Sequence, residues 1–222
     1  MPVALIIGAS RGIGHELATQ YKAAGWRVIA TARKQEDLAA LQSAGCEALQ
    51  LDVTNPNDCA SLGGRLGDER IDVAILNAGV YGPRVEQLIA PQESEFDAVM
   101  HTNVLAAMRI LPLVLPLVDA AKGRLAVISS LLGSLSLRNS THGWLYRASK
   151  AALNSVLKDI SLQASDSICI AFHPGWVQTE MGGSEAPLTV TESVRGMRQT
   201  LADLSAKDNG QFFNYDGTSL SW

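Results

Sequence analysis

The amino-acid sequence predicts an α/β fold: a doubly wound parallel β-sheet (Rossmann fold) with helices on both faces, in a single domain over residues 1–222. Two observations support this. Short apolar runs alternate with amphipathic segments along the chain, which is the pattern of a parallel sheet. A glycine-rich turn directly follows the first apolar run, where nucleotide-binding α/β folds have one. The hydrophobic content of 47% is enough for a sizeable core.

The first strand is predicted at Val3–Ile7, an apolar run typical of strands buried on both faces. It lacks a basic flank and stops at Gly8, so it does not resemble a signal peptide. A helix that ends at Gly25 is predicted next, because several residues recur at helical spacing. They are Leu17, Ala18, Tyr21 and Ala24. The sequence therefore predicts a strand, a glycine turn and a helix in succession.

The glycine turn is the first candidate binding site. Glycines let the backbone approach a pyrophosphate, and the following helix N-terminus supplies free N–H groups and positive potential. The spacing is G-x-x-x-G-x-G rather than the usual G-x-G-x-x-G, and a plain tight turn is the alternative. The turn predicts a dinucleotide site at Gly8, Ser10, Arg11, Gly12, Ile13 and Gly14.

The end of the second strand indicates which dinucleotide is bound. NAD-binding units usually place an acidic residue there for the ribose 2′-hydroxyl, whereas an arginine suits a 2′-phosphate. Here the strand ends at Arg33 without an acid, and Arg11 lies in the glycine turn. Charge-assisted hydrogen bonds to phosphate are strong. We therefore predict NADP(H) as the cofactor; the alternative is that both arginines are merely solvated.

The later segments continue the alternation, with two interruptions. Gly63 and Gly64 weaken one helix, and Pro112 and Pro116 must kink or end another. The strands predicted after the first are 26–31, 48–51, 71–76, 124–129, 167–172 and 210–214. The helices predicted after the first are 35–44, 57–66, 94–111, 144–164 and 191–204.

Ligands of such sheets bind beyond the carboxyl ends of the strands. The segments in those positions are therefore expected to meet along one edge. They are Gly8–Gly14, Arg33, Asp52 with Val53, Asn77 to Gly79, Ser130, and Pro174 with Gly175.

The helix at 144–164 contains a candidate catalytic pair. Tyr146 and Lys150 are four residues apart and share one helix face. An ammonium beside a phenol favours the phenolate and lowers the pKa of the phenol, so that Tyr146 would exchange protons near neutral pH. The alternative is an ordinary exposed pair, because the pattern is short.

Composition excludes several classes of function. The net charge is −4 without a basic cluster, so we expect no nucleic-acid partner. The stretch 104–118 contains Arg109 and two prolines, so we expect no membrane span. The three cysteines form no C-x-x-C motif, which favours reduced, buried thiols and a cytoplasmic location. The four histidines lack metal-ligand spacing, so we expect no metal.

Seven motifs in order resemble the short-chain dehydrogenase/reductase family over nearly the whole chain. They are GASRGIG at 8–14, LDVT at 51–54, LNAG at 76–79, HTNV at 101–104, ISS at 128–130, YRASK at 146–150 and PGWVQTEM at 174–181. Within the family, the chain is similar to the branch of sniffer-like carbonyl reductases and C-factor (C-signal) proteins. The resemblance implies an NADPH-dependent reductase acting on a small, fairly apolar aldehyde or ketone.

The resemblance also implies a role for each matched residue. Tyr146 would protonate the substrate oxygen, and Ser130 would orient the carbonyl. Lys150 would hold the nicotinamide ribose, while Asn103 would fix a water that links Lys150 to solvent. The further cofactor contacts that it implies are Asp52, Val53, Asn77, Ala78, Gly79, Pro174, Gly175, Val177 and Thr179.

The segment between Ser130 and Tyr146 is longer than is usual in the family, although the sniffer-like branch also has a longer loop here. Ser134 or Ser136 is therefore an alternative to Ser130. His173 is interpreted as a satisfied structural histidine. The segment 181–183 is a lid or an ordinary loop. Pocket lining or packing is expected of Val80, Tyr81, Leu131, Trp144, Trp176, Met181 and Trp222.

Two alternative functions remain open at this point. The C-factor likeness implies an intercellular or developmental signalling protein that uses the fold as a nucleotide-binding module. A lyase or epimerase on the same fold would consume no NADPH. The helices around 104–115 and 153–160 show more apolar surface than one buried face needs. We therefore expect a homodimer, or a homotetramer, that pairs these helices.

Overall fold

The first strand, β1 (Val3–Ile7), lies in the middle of the fold and is buried along its whole length. Successive side chains of a strand point to opposite faces. Val3, Leu5 and Ile7 accordingly pack into one apolar cluster, and Ala4 and Ile6 pack into the other. The strand is therefore covered on both faces, as its continuous apolar run predicts.

The computed structural model describes residues 1–85 and 87–222. Its remaining strands are β2 (Arg27–Ala32), β3 (Glu47–Gln50), β4 (Val73–Leu76), β5 (Arg124–Ile128), β6 (Ile168–His173), β7 (Gln211–Asn214) and β8 (Ser219–Leu220). Its α-helices are α1 (Gly12–Ala23), α2 (Gln35–Ser43), α3 (Pro56–Leu66), α4 (Glu93–Met100), α5 (Ala106–Ala121), α6 (Trp144–Gln163) and α7 (Val190–Asp203). Short helical turns of other types lie at His101–Leu105, Leu131–Gly133 and Ala206–Asp208.

The strands form one sheet in the order β3-β2-β1-β4-β5-β6-β7-β8. The pairs from β3 to β7 are all parallel, and β8 is antiparallel to β7. The predicted doubly wound sheet is therefore confirmed, with β8 as an addition that the sequence pattern did not indicate. The strand order reverses between β1 and β4, which is where ligands of such sheets bind.

The helices cover the sheet in two layers. Buried residues of α3, α5 and α6 pack with Val3, Leu5 and Ile7 on one face. Buried residues of α1, α2 and α7 pack with Ala4 and Ile6 on the other. Cys46, Cys59 and Cys169 are free and buried, as predicted, and burial raises the pKa of each thiol.

Pro112 and Pro116 were predicted to kink or end the long helix, and they do not end it. Helix continues through both to Ala121, joined to α4 by the π-helical turn His101–Leu105. Each proline removes one helical hydrogen bond to the carbonyl four residues earlier. Pro112, Pro116 and Met108 are all exposed, so water can satisfy the carbonyls of Met108 and Pro112.

The two prolines also do not shorten the helical segment below the length of a membrane span, contrary to the sequence argument. The continuous helical segment Glu93–Ala121 has 29 residues and is apolar enough to span a bilayer by length and composition alone. In the fold, α5 buries four of its apolar side chains in the cluster that contains Val3, Leu5 and Ile7. They are Ile110, Leu111, Val114 and Val118. Its apolar character is therefore explained by packing on the sheet.

The premise of the predicted dimer is wrong, because most apolar residues of these helices are buried within the single chain. Val104, Leu115, Leu153 and Ile160 are among them. In the described residues of α5 and α6, the large hydrophobic side chains that are mostly exposed are Met108 and Leu162. The homodimer or homotetramer stays a prediction, without this argument for it.

Candidate active site

The glycine turn packs tightly against the chain that follows β4. These two segments therefore meet at one edge of the sheet, as the sequence predicts. Gly8 has a φ of +88°, and a Cβ atom there would lie 2.8 Å from the backbone nitrogen of Ala78. The Asn77 side-chain amide donates a hydrogen bond of 2.7 Å to the Gly8 carbonyl. A Cβ atom on Gly14 would overlap that same carbonyl oxygen. Side chains at Gly8 or Gly14 would therefore displace the turn.

The turn opens onto the N-terminus of α1. Arg11 occupies the N-cap position, and its side chain makes no capping hydrogen bond. The first N–H groups of a helix have no partner within the helix, so an anion can accept their hydrogen bonds. The twelve-residue helix and the closely packed glycines form a cradle that suits the pyrophosphate of a dinucleotide.

The two arginines predicted to read a 2′-phosphate have different surroundings. Arg33 directly follows β2, is exposed, and has no ion pair with a carboxylate among the residues that the structure describes. Arg11 instead forms a 2.6 Å ion pair with Glu180, and both side chains are about three-quarters exposed. Exposed pairs contribute about 0–1 kcal/mol. Arg11 therefore remains available to a phosphate at small cost, although the sequence did not indicate its carboxylate partner.

Asp52 and Val53 follow β3 at the same edge of the sheet. One Asp52 oxygen, Oδ1, accepts hydrogen bonds from the backbone N–H and the hydroxyl of Thr54, at 2.9 and 2.7 Å. Burial works to raise the pKa of Asp52, but these hydrogen bonds and the charge of Arg33 outweigh it and lower the pKa. Val53 is buried in the core below the sheet.

Tyr146 and Lys150 share one face of α6, as predicted, and both are buried. The Lys150 Nζ atom lies 5.6 Å from the centroid of the Tyr146 ring and donates a 2.8 Å hydrogen bond to the Ile128 carbonyl. Ser130 follows β5, and its side chain lies beside the Tyr146 phenol. The phenol, the ammonium and the serine hydroxyl therefore meet where β5 ends.

The prediction that Lys150 lowers the pKa of Tyr146 is wrong. Burial raises the pKa of Tyr146 well above its ordinary value, and the neighbouring Ser130 side chain only partly opposes this. Burial also lowers the pKa of Lys150 to about 8, which weakens the positive charge beside the phenol near that pH. Desolvation of both groups thus outweighs their proximity. At neutral pH Tyr146 holds its proton.

Asn103 lies in the π-helical turn that joins α4 to α5. Its side chain accepts a hydrogen bond from the Val80 N–H and donates to the Val80 carbonyl, both at 2.8 Å. It also donates to the hydroxyl of Ser149, which in turn donates to the Tyr146 carbonyl. The side chain thus ties the loop after β4 to α6. Ser149 is a part of this arrangement that the sequence reasoning missed.

Gly79 lies beside the side chains of both Asn103 and Lys150. A Cβ atom on Gly79 would lie 3.3 Å from both the Asn103 Oδ1 atom and the Lys150 Nζ atom. The predicted residues Gly79, Asn103 and Lys150 therefore converge around one point. The predicted water at Asn103 is not tested by these contacts and stays a prediction.

The two alternatives to Ser130, which are Ser134 and Ser136, have hydrogen-bond partners away from Tyr146. The Ser134 hydroxyl donates to the Ser221 carbonyl and accepts from the Leu137 N–H. Ser136 is exposed, and its N–H donates to the Trp222 carbonyl. Ser130 is the one of the three that contacts Tyr146.

Replacement of these serines separates the alternatives. For the carbonyl reduction that the family resemblance implies, we expect Ser130→Ala to lower kcat about 10²-fold, as loss of a hydrogen-bond donor to a developing oxyanion does. Ser134→Ala, the matched control, should stay within a few-fold of wild type per folded molecule. Steady-state NADPH oxidation measures both. Equal losses in the two variants would contradict the choice of Ser130.

The segment after β6 closes the site from the side of the glycine turn. A Cβ atom on Gly12 would lie 3.4 Å from the Thr179 Cγ2 atom, so Thr179 faces the turn. Thr179 accepts a hydrogen bond from the Gly182 N–H. Val177 is buried and forms a β-bridge with Leu188. Pro174 accepts a hydrogen bond from Ser193, and Gly175 has a φ of +87°.

His173 is not fully satisfied, contrary to the prediction. Its Nδ1 atom is buried without a hydrogen-bond partner among the described residues. Burial lowers the pKa of His173 to about 4, although the charge of Asp216 opposes this. The ring is therefore neutral at physiological pH.

A model of the short chain dehydrogenase family matches residues 2–187. The C-signal protein of Myxococcus xanthus is 37% identical over 158 residues, which cover 68% of this chain and 93% of that protein. The solved structure of the carbonyl reductase Sniffer of D. melanogaster superimposes with a TM-score of 0.91 at 31% identity over all of both chains. A carbonyl reductase from Pseudomonas aeruginosa PAO1, solved in complex with NADP, is 35% identical over all of both chains, with a TM-score of 0.88.

Proposed function

Because this chain belongs to the short-chain dehydrogenase/reductase family, we propose that it is an NADPH-dependent oxidoreductase that reduces a small, fairly apolar aldehyde or ketone. One observation carries the proposal. The Tyr146 phenol is buried and protonated, lies beside the Ser130 side chain, and is next to the Lys150 ammonium. These groups lie at the edge of the sheet that also holds the glycine cradle.

The residues present fit a nicotinamide dinucleotide. The turn formed by Gly8 and Gly14 leaves no room for side chains, and the α1 N-terminus is uncapped. These features would hold the pyrophosphate, while Arg33 and Arg11 would hold a 2′-phosphate. Lys150 and Thr179 would contact the nicotinamide half. NADPH, when bound, would supply the hydride.

The chain's own groups would handle the proton and the charge. The Ser130 hydroxyl would orient the carbonyl and donate a hydrogen bond to its oxygen as negative charge builds there. Tyr146 would give its phenolic proton to that oxygen. Its raised pKa keeps this proton in place at neutral pH. The ammonium of Lys150 would stabilise the phenolate that remains.

Removal of Arg33 tests the cofactor preference. We expect Arg33→Ala to weaken NADPH binding about ten- to a hundredfold and to leave NADH binding nearly unchanged, since a charge-assisted hydrogen bond to phosphate contributes roughly 1.5–3 kcal/mol. Titration followed by nucleotide fluorescence measures both. Arg70→Ala is the control: Arg70 is an exposed cation that precedes β4, at the opposite end of the strands. Equal weakening of NADPH and NADH by Arg33→Ala would contradict the 2′-phosphate role.

The similarity to C-signal supports a second proposal, a cell-signalling protein that uses the fold as a nucleotide-binding module. The reductase needs the hydroxyls of Tyr146 and Ser130 for its activity, whereas the signalling module does not. A panel of hexanal, benzaldehyde and cyclohexanone, incubated with NADPH and the wild-type protein, tests the enzyme. NADPH oxidation with alcohol formation supports the reductase. Micromolar NADPH binding without turnover of any carbonyl would favour the signalling module.

A further inference from the structure

Tyr81, in the loop after β4, lies on the ring of Tyr146. The two ring centroids are 4.5 Å apart and the planes differ by 21°. This is a stacked aromatic pair, a contact that contributes about 0.5–1.5 kcal/mol beyond the area that it buries. Tyr146 is only 7% exposed. The Tyr81 ring is therefore part of the surface that shields the phenol from water.

Arg84 holds the same ring from its own loop and reaches a second segment. Its guanidinium carbon lies 4.8 Å from the Tyr81 ring centroid, within the distance of a cation–π interaction. Its Nη2 atom donates a 2.5 Å hydrogen bond to the carbonyl of Met181. One side chain therefore joins the loop after β4 to the segment after β6.

Gly143 provides the space for the Tyr81 phenol. It has a φ of +65°, and a Cβ atom there would overlap the Tyr81 hydroxyl and lie 3.0 Å from the adjoining ring carbon. Gly143 immediately precedes α6 and is three residues before Tyr146. Tyr81 is thus fixed against the first turn of the helix that carries Tyr146.

Resting on the reductase function proposed above, we propose that Tyr81 is a positioning residue, whose ring holds the Tyr146 phenol in its reactive orientation. Arg84 sets the position of that ring and couples it to the segment that contains Met181. Tyr81 makes three separate contacts that support this role, with Tyr146, Arg84 and Gly143. A displacement of about 1 Å in a reacting group can lower a rate about 10²-fold.

The first test compares Tyr81→Ala with Tyr81→Phe. We expect Tyr81→Ala to lower kcat about ten- to a hundredfold, with an unchanged Kd for NADPH. Tyr81→Phe keeps the ring and should restore kcat to near the wild-type value. A wild-type kcat in Tyr81→Ala, or an equal loss in Tyr81→Phe, would overturn the proposal. If Tyr81→Ala does not fold, Tyr81→Leu retains the bulk without the aromatic face and should show the same loss.

The second test is a double-mutant cycle with Arg84. Arg84→Ala should lower kcat less than Tyr81→Ala does, and it should have little further effect in the Tyr81→Ala background, because it acts through that ring. Additive losses would overturn the coupling. These outcomes are separate from the proposed function. If the wild type oxidises NADPH with a carbonyl and Tyr146→Phe does not, the reductase stands whatever the Tyr81 variants do.

Discussion

Tyr146→Phe is expected to lower kcat for carbonyl reduction about 10²–10⁴-fold, the usual contribution of a general acid. The variant keeps the ring and its stacking on Tyr81 and loses only the hydroxyl that supplies the proton. NADPH binding should be nearly unchanged, since the glycine cradle and Arg33 are untouched. Single-turnover NADPH oxidation at saturating nucleotide measures the chemical step directly.

Tyr21→Phe is the matched control for this experiment. Tyr21 is also buried, but it packs in the cluster on the other face of the sheet, with the Arg198 guanidinium 4.7 Å from its ring centroid. The Tyr21→Phe variant should reduce carbonyls at nearly the wild-type rate per folded molecule. A Tyr146→Phe variant that turns over as fast as Tyr21→Phe would show that another group donates the proton.

Gly14→Ala is expected to abolish measurable NADPH binding and to destabilise the fold by about 1–3 kcal/mol, as overpacking does. A Cβ atom on Gly14 would overlap the Gly8 carbonyl oxygen and lie 2.6 Å from the Asn77 amide nitrogen. Backbone and a hydrogen-bonded side chain both oppose the new atom, so the turn itself must move. Urea unfolding and nucleotide titration measure the two effects.

Gly64→Ala is the matched control, and it is expected to stabilise the fold instead of destabilising it. Gly64 lies inside α3 and is exposed, and a Cβ atom there would meet no atom within 4 Å among the described residues. Alanine should stabilise this helix by about 0.5–1 kcal/mol, with nucleotide binding unchanged. If Gly14→Ala binds NADPH as Gly64→Ala does, the close packing of the turn is unimportant for the cofactor.

The sequence predicted the sheet and most of its elements because those depend on local patterns. The apolar run of β1 is one such pattern, and the glycine turn and the spacing of Tyr146 and Lys150 are two others; each of the three spans only a few residues. Parallel strands also place their carboxyl ends on one edge, which is why Gly8, Asn77 and Ser130 could be assigned to one site in advance. The structure brings these residues to that edge.

What could not be predicted depends on contacts between distant parts of the chain. The pKa of Tyr146 is raised because the phenol is buried, and Tyr81, which is 65 positions earlier, helps to cover it. The pairing of Arg11 with Glu180 likewise joins two loops that have no common pattern. The prolines of α5 illustrate the same point. Each leaves the carbonyl four residues earlier without its helical donor, and exposure of that helix face decides whether water can reach the carbonyl.

The most direct test of the central claim is isotope transfer from the cofactor. The wild-type protein is incubated with a carbonyl that supports turnover and with NADPH in which both hydrogens at nicotinamide C4 are deuterium, and the alcohol product is analysed by mass spectrometry. Hydride transfer predicts one deuterium on the former carbonyl carbon of each product molecule. A Tyr146→Phe reaction of equal duration should give about 10²–10⁴-fold less of this labelled alcohol. An alcohol without deuterium, or product formed without NADPH oxidation, would contradict the reductase mechanism.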